Sequence, residues 1–275
     1  MQGGAVMHKY LAACGCNIGR IRKNNEDNFY FNGIVLQAEN RGLRDILFTS
    51  GTLASPFCVG VFDGMGGEAF GEDASYIGAK VLKEKCFGYA GDPKDVLLDA
   101  CMEANAQICA LARKRAAGVI GSTMAALCLE GENAVLLNLG DSKAFLFRSR
   151  TLVQISVDHT DQERLKALCI TTRKPRLTQH LGIAPSELLL EPAIWQRRIE
   201  PGDCFLLCSD GLTNMVPESG IADILQKNPE PADCVRLLIN TALMKGGRDN
   251  ITVLLVHVAL SLIHISEPTR LGMIS

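Results

Sequence analysis

The chain has 275 residues, 47% of them hydrophobic, which is enough apolar surface for a large core and excludes a disordered polypeptide. Its 28 basic and 30 acidic residues are interspersed and leave a formal net charge of -2, which excludes a general affinity for nucleic acid or anionic membrane. No uncharged apolar stretch is long enough to span a bilayer and no signal-peptide core opens the chain, so the expected location is the cytoplasm.

Eleven cysteines raise a disulfide reading, but Cys128, Cys204 and Cys208 lie inside apolar runs, where a reduced thiol acts as a small hydrophobe. The odd count also suits a reducing compartment. Cys14 and Cys16 have no second closely spaced pair beside them, so structural zinc is not expected.

In chain order, apolar runs bounded by Gly, Asp, Asn or Ser predict strands at 29–36, 57–62, 124–129, 134–139, 144–147, 204–208 and 251–258. Leu129 and Ala134 flank a short polar turn and predict a hairpin, hence antiparallel sheet. Helices are predicted at 74–87 and 93–117, the second with Asp92 as N-cap, Pro93 in its first turn and Gly118 as its stop. Val96, Leu97, Ala100, Cys101, Ala104, Ile108 and Leu111 recur at helical spacing and give that helix one face to bury. A later helical pair is expected near 221–226 and 231–244. Two helices early and two late, with strands between, read as an α+β protein whose helices cover sheet faces. Residues 1–260 form one expected domain. The segment 261–275 has no amphipathic pattern and resembles translated adaptor sequence more than a domain end.

Four aspartates stand at the edges of predicted strands: Asp63, Asp141 and Asp210 after a run, and Asp249 just before one. Strand ends are rigid mounts, and carboxylates prefer hard cations such as magnesium or manganese. Taken singly, Asp63-Gly64, Asp210-Gly211 and Asp249-Asn250 are ordinary turn sequences. Their weight comes from occurring together with Arg22, Asn25, Glu26 and Asp27, where a cation suited to phosphate sits beside two carboxylates. Asp63-Gly64-Met65-Gly66-Gly67 offers backbone that approaches an ion closely before a helix begins near Asp73. It has neither the Gly-Lys-Ser/Thr ending of a nucleotide P-loop nor the dinucleotide spacing.

At this point the chain resembles the metal-dependent protein serine/threonine phosphatases of type 2C, bacterial branch. The likeness runs in order through 19–27, 61–67, 121–123, 138–144, 158–160, 207–212 and 247–252, and spans about 8–260. It implies a four-layer αββα sandwich of two antiparallel sheets flanked by helix pairs. It also implies hydrolysis of phosphoserine and phosphothreonine in proteins, with two core Mn2+ or Mg2+ ions and a third, weaker position. By that resemblance Asp63 bridges two metals, Gly64 offers its carbonyl to one, and Asp210 and Asp249 complete the other. Glu26 and Asp27 act through metal-bound water, Asp141 with Asp210 matches the third position, and Arg22 clamps the phosphate. The implied partners are phosphorylated proteins, among them a Ser/Thr kinase or its substrates, approached by a monomer.

Four positions depart from the pattern. Met65 stands where some relatives carry a histidine proposed to protonate the leaving group, so a bound water or another acid must supply that proton. His159 is assigned a structural hydrogen-bonding role, and His180 is left unassigned. The flap between Thr160 and Leu177 is short, Lys143 replaces an arginine, and Glu68 replaces a frequent histidine. The competing readings are a non-catalytic phosphoprotein-binding relative and a phosphatase dedicated to one regulatory partner.

Overall fold

The computed structural model describes residues 8–66, 70–88, 91–116, 118–173 and 175–260. The expectations for Gly67, Glu68, residues 1–7 and the segment 261–275 lie outside the described residues. The first half of the chain contains β1 (His8–Asn17), β2 (Asp27–Phe31), β3 (Leu47–Thr52), β4 (Phe57–Gly66), α1 (Gly71–Cys86), α2 (Pro93–Arg115), β5 (Ile120–Ser122), β6 (Met124–Glu130) and β7 (Asn133–Leu139). There follow β8 (Lys143–Arg148), β9 (Thr151–Gln154), α3 (Gln162–Ala167), β10 (Ala193–Arg198), β11 (Cys204–Cys208), α4 (Asp210–Thr213), α5 (Glu218–Lys227), α6 (Pro231–Met244) and β12 (Ile251–Leu260).

Because a strand points successive side chains to opposite faces, each long apolar run feeds two cores at once. On β4, Val59 and Val61 enter the layer between the sheets, while Cys58 and Phe62 meet the helices. On β12, Leu254, Val256 and Val258 point inward, and Ile251, Val253 and Leu255 point outward. Strands buried on both faces need no polar alternation, which is why these runs are continuously apolar.

All the described pairings between these strands are antiparallel. One sheet runs β3-β1-β12-β11-β8-β9, the other β10-β7-β6-β4-β2, with β5 paired to β4. Helices α1 and α2 bury Leu82, Leu97, Ala104 and Ile108 against the second sheet, and α5 and α6 bury Ile221, Val235 and Leu238 against the first. The result is the expected four-layer αββα sandwich. No helix among the described residues is long and apolar enough to cross a membrane.

Local chemistry accounts for the element ends. The Asp92 side chain accepts the Lys94 N–H at 2.9 Å, Pro93 occupies the first turn, and Arg113, Lys114 and Arg115 face the negative end of the α2 dipole. The stop is not Gly118: Ala116 takes the left-handed conformation at φ 47° and closes the helix two residues earlier. The predicted hairpin is present, with Leu129 opposite Ala134 and Glu130 opposite Asn133.

Several expectations are corrected. The strand expected over 29–36 ends at Phe31, where Asn32 and Gly33 turn at positive φ. Strands β1, β3, β5, β9 and β10 went unpredicted. β1 is built from small residues: Ala12, Cys14 and Cys16 face the layer between the sheets, and Ala13 and Gly15 face α6, where a Cβ on Gly15 would stand 2.5 Å from Ile239 Cδ1. β3, β9 and β10 are edge strands with polar outer positions, which weakens the apolar signal. Cys128 is not a free thiol: it stands opposite Cys58 on adjacent strands, Cα to Cα 4.1 Å, and the two form a disulfide. Pairing directly across two strands brings the sulfurs together, a register that spacing along the chain does not reveal.

Candidate active site

The site lies at one end of the sandwich, where both sheets contribute. Asp27 begins β2 and is paired in register with Asp63 on β4. Asp63 therefore sits within a strand that continues to Gly66, not in the turn that Asp-Gly suggests. Asp27 is buried, and its Oδ2 accepts two hydroxyls from the opposite sheet, Ser209 Oγ and Thr252 Oγ1, each at 2.7 Å. The Asp63 backbone is clamped by Thr123, whose Oγ1 accepts the Asp63 N–H at 2.9 Å and whose N–H donates to the Asp63 carbonyl at 2.9 Å. Thr123 Oγ1 is in turn 2.6 Å from Ser142 Oγ, next to Asp141.

Asp210 is the first residue of the short helix α4 and accepts Asn214 Nδ2 at 2.9 Å. Asp249 accepts Arg22 Nη2 at 2.8 Å, and Glu26 lies 3.6 Å from the same guanidinium. Asn250 ties these segments together. Its Oδ1 accepts the Glu26 N–H at 2.8 Å, and its Nδ2 donates to the carbonyls of Ile18 and Asn24. Gly64 and Gly211 permit this closeness: a Cβ on Gly64 would fall 2.0 Å from the Gly71 carbonyl, and one on Gly211 1.9 Å from the Asn250 carbonyl.

The electrostatics follow from crowding five aspartates into one cleft. Burial is the largest influence on Asp63, and the charges of Asp27, Asp210, Asp141 and Asp249 push it further above the ordinary carboxylate range. Burial lifts Asp27 to about 7 against the opposing hydroxyls of Ser209 and Thr252. Burial, with Asp210 beside it, lifts Asp141 to about 6. These carboxylates are within electrostatic reach without closing into a coordination cluster among the described residues. Over Asp141, Asp210 and Asp249 opens a cleft of about 590 Å³ whose walls include Arg22, Lys143 and Arg248. Hard, anionic, partly buried oxygen donors that Arg22 and Lys143 offset only in part are a donor set suited to Mg2+ or Mn2+.

The family model for Protein phosphatase 2C matches residues 38–240. The chain belongs to the protein phosphatase 2C family. Serine/threonine phosphatase stp of Listeria welshimeri is 32% identical over 252 residues, covering 86% of this chain and 92% of that protein. The catalytic domain of the serine/threonine phosphatase PstP, solved in complex with two manganese ions, superposes with a TM-score of 0.74 at 29% identity, covering 91% of this chain and 99% of that one. PppA from Pseudomonas aeruginosa superposes with a TM-score of 0.74 at 30% identity, covering 90% and 97%.

In this type 2C chain Glu26, Asp27, Asp63, Asp141, Asp210 and Asp249 meet at one end of the sandwich. His159 accepts the Gly140 N–H on Nδ1 at 3.1 Å and donates its own N–H to the Gly140 carbonyl at 3.0 Å, which braces the turn before Asp141. His180 lies elsewhere, with Nδ1 2.9 Å from the Leu181 carbonyl. Lys143 pairs with Asp158 at the cleft wall. The short flap is tied down through Asp161, which receives Arg173 and the Arg176 N–H, and a Thr160–Leu177 bridge closes its base.

Sequence reasoning gave no task to Ser209, Thr252, Thr123, Ser142 or Asn250. Each is within three residues of an assigned aspartate in sequence or hydrogen-bonds to one. For Ser209, Ser142, Asn250 and Thr252 the available signal was a hydroxyl or amide close in sequence to an acid; Thr123, 60 positions from Asp63, carried none.

Proposed function

We propose that this protein hydrolyses phosphoserine and phosphothreonine in other proteins, with Mn2+ or Mg2+ held by its cleft carboxylates. The observation that carries the reading is the meeting of Asp27, Asp63, Asp141, Asp210 and Asp249, from five separate segments, where burial and the neighbouring carboxylates raise the proton affinity of Asp27, Asp63 and Asp141. Such a site gains by exchanging protons for divalent cations. The ions supply an acidified water for in-line attack and offset charge on the phosphoryl oxygens.

Asp63, with the Gly64 carbonyl, would hold the core ions together with Asp210 and Asp249; Asp141 with Asp210 would serve a third, weaker position, and Glu26 and Asp27 would act through water. Arg22 pairs with Asp249 at the cleft wall; once that carboxylate is committed to a cation, the guanidinium fork is free to take phosphoryl oxygens. The leaving group's proton would come from a bound water or another acid of the site, since Met65 has none to give and His159 is occupied with Gly140. We take residues 1–260 as one catalytic domain, with 261–275 outside it, acting as a cytoplasmic monomer that opposes a Ser/Thr kinase.

The test is phosphate release from a phosphothreonine peptide in Mn2+, in Mg2+ and in chelator, with Asp63→Asn alongside. Turnover that needs the cation and vanishes in Asp63→Asn is expected. Cation binding without turnover would move the reading to a phosphoprotein-binding relative, and full activity in Asp63→Asn would overturn the site.

A further inference from the structure

Helix α1 opens beside the Glu26 side of the cleft, and its second residue, Glu72, has no part in the roles assigned above. Gly71 abuts Glu26 so closely that a Cβ there would lie 2.8 Å from Glu26 Oε1. Glu72 is near enough for its charge to reinforce the burial that raises Glu26. Its Oε2 is buried and has no hydrogen-bond partner among the described residues. Only one other buried side-chain oxygen or nitrogen among them shares that condition, His8 Nδ1 on β1.

A carboxylate oxygen withdrawn from water and left unpaired is destabilising, so it calls for a donor or a cation opposite it. The α1 dipole favours an acid in the first turn, but Asp73 meets that preference as well, and the dipole does not require the oxygen to be buried.

We propose that Glu72 is a positioning residue of the metal site: its buried oxygen accepts a hydrogen bond from the hydration shell of the divalent cation held beside Glu26. Two carboxylates then orient that shell from adjacent walls, one on the loop before β2 and one on α1. Outer-shell acceptors of this kind set both the affinity for the ion and the direction of its water ligands. The inference rests on the metal-dependent reading of the cleft.

The experiment is a calorimetric Mn2+ titration of the full chain, wild type against Glu72→Gln and Glu72→Ala, with melting temperatures in chelator. Glu84→Gln, on the exposed face of the same helix, is the control. Mn2+ affinity at one site is expected to fall about tenfold in Glu72→Ala and by less in Glu72→Gln, which keeps an acceptor. In chelator, Glu72→Gln should melt close to wild type, because it keeps the size and shape of the side chain. A merely structural glutamate would lower the melting temperature with and without Mn2+. Unchanged Mn2+ affinity in Glu72→Ala, or a lower metal-free melting temperature in Glu72→Gln, would overturn the assignment while leaving the wild-type metal site standing. A wild type that binds no Mn2+ would overturn the functional reading itself.

Discussion

In the metal-free protein, protons and divalent cations should act as alternative stabilisers of the same carboxylates. Asp27 rises from an ordinary 3.8 to about 7 in the fold, so the native state holds its proton more tightly than the unfolded chain does. Stability therefore falls as pH rises from 3.8 through about 7, and the loss is complete above that. Some three pKa units at ~1.4 kcal/mol each make a total near 4 kcal/mol. Lowering the pH from 8 to 6 recovers about one unit of it, on the order of 1 kcal/mol, with Asp141 beginning to add at the lower end.

Burial lowers His159, His180 and His257 and works in the opposite sense below about 6.5, but those rings do so with or without the ion. The difference between Mn2+-loaded and chelated protein isolates the carboxylates. Melting can be followed through the single tryptophan, Trp195, whose ring packs edge-on 6.2 Å from Phe205. The gap between the two melting temperatures should widen by about 3–5 °C from pH 6 to pH 8. A gap that stays constant, or narrows, would refute the argument that these acids are held at raised proton affinity until a cation replaces the proton.

Three substitutions probe the same geometry. Ser209→Ala removes the hydroxyl 2.7 Å from Asp27 Oδ2 and the acceptor for the Thr252 N–H, so denaturant unfolding in chelator should show a loss of roughly 1.5–3 kcal/mol at pH 8 and less at pH 6. Gly64→Ala places a methyl 2.0 Å from a backbone carbonyl that no rotamer change can move, and should unfold with several kcal/mol less stability and lose Mn2+ binding; near-native stability would mean that β4 and α1 separate easily. Arg22→Ala should raise KM for phosphopeptide with stability changed by less than about 1 kcal/mol, since the Arg22–Asp249 pair is only partly buried; unchanged KM and kcat would reject its phosphate role.

Much of the fold could be read from one-dimensional pattern. Central strands β4, β6, β7, β11 and β12 are apolar on both faces and stand out at any register, and α2 carries its N-cap, its first-turn proline and its buried face within its own sequence. β1 escaped notice because its small residues answer to close packing on both faces, the opposite sheet on one and α6 on the other, rather than to strand propensity, and β3, β9 and β10 because edge strands keep polar positions. The acids of the site were legible because each sits in a distinctive short segment. Their protonation was not, because a raised proton affinity depends on burial and on neighbours up to 222 positions away, as Asp27 and Asp249 are.

The sequence by itself determined which side chains can bind a hard cation and which runs must be buried, since residue chemistry and periodicity are local properties. Tertiary structure alone decided that Ser209 and Thr252 hold Asp27, that Thr123 clamps Asp63, that Cys58 meets Cys128, and that one oxygen of Glu72 is left buried and unpaired. Those outcomes depend on strand register and on the stacking of two sheets, and residues distant along the chain become partners only when the sandwich closes.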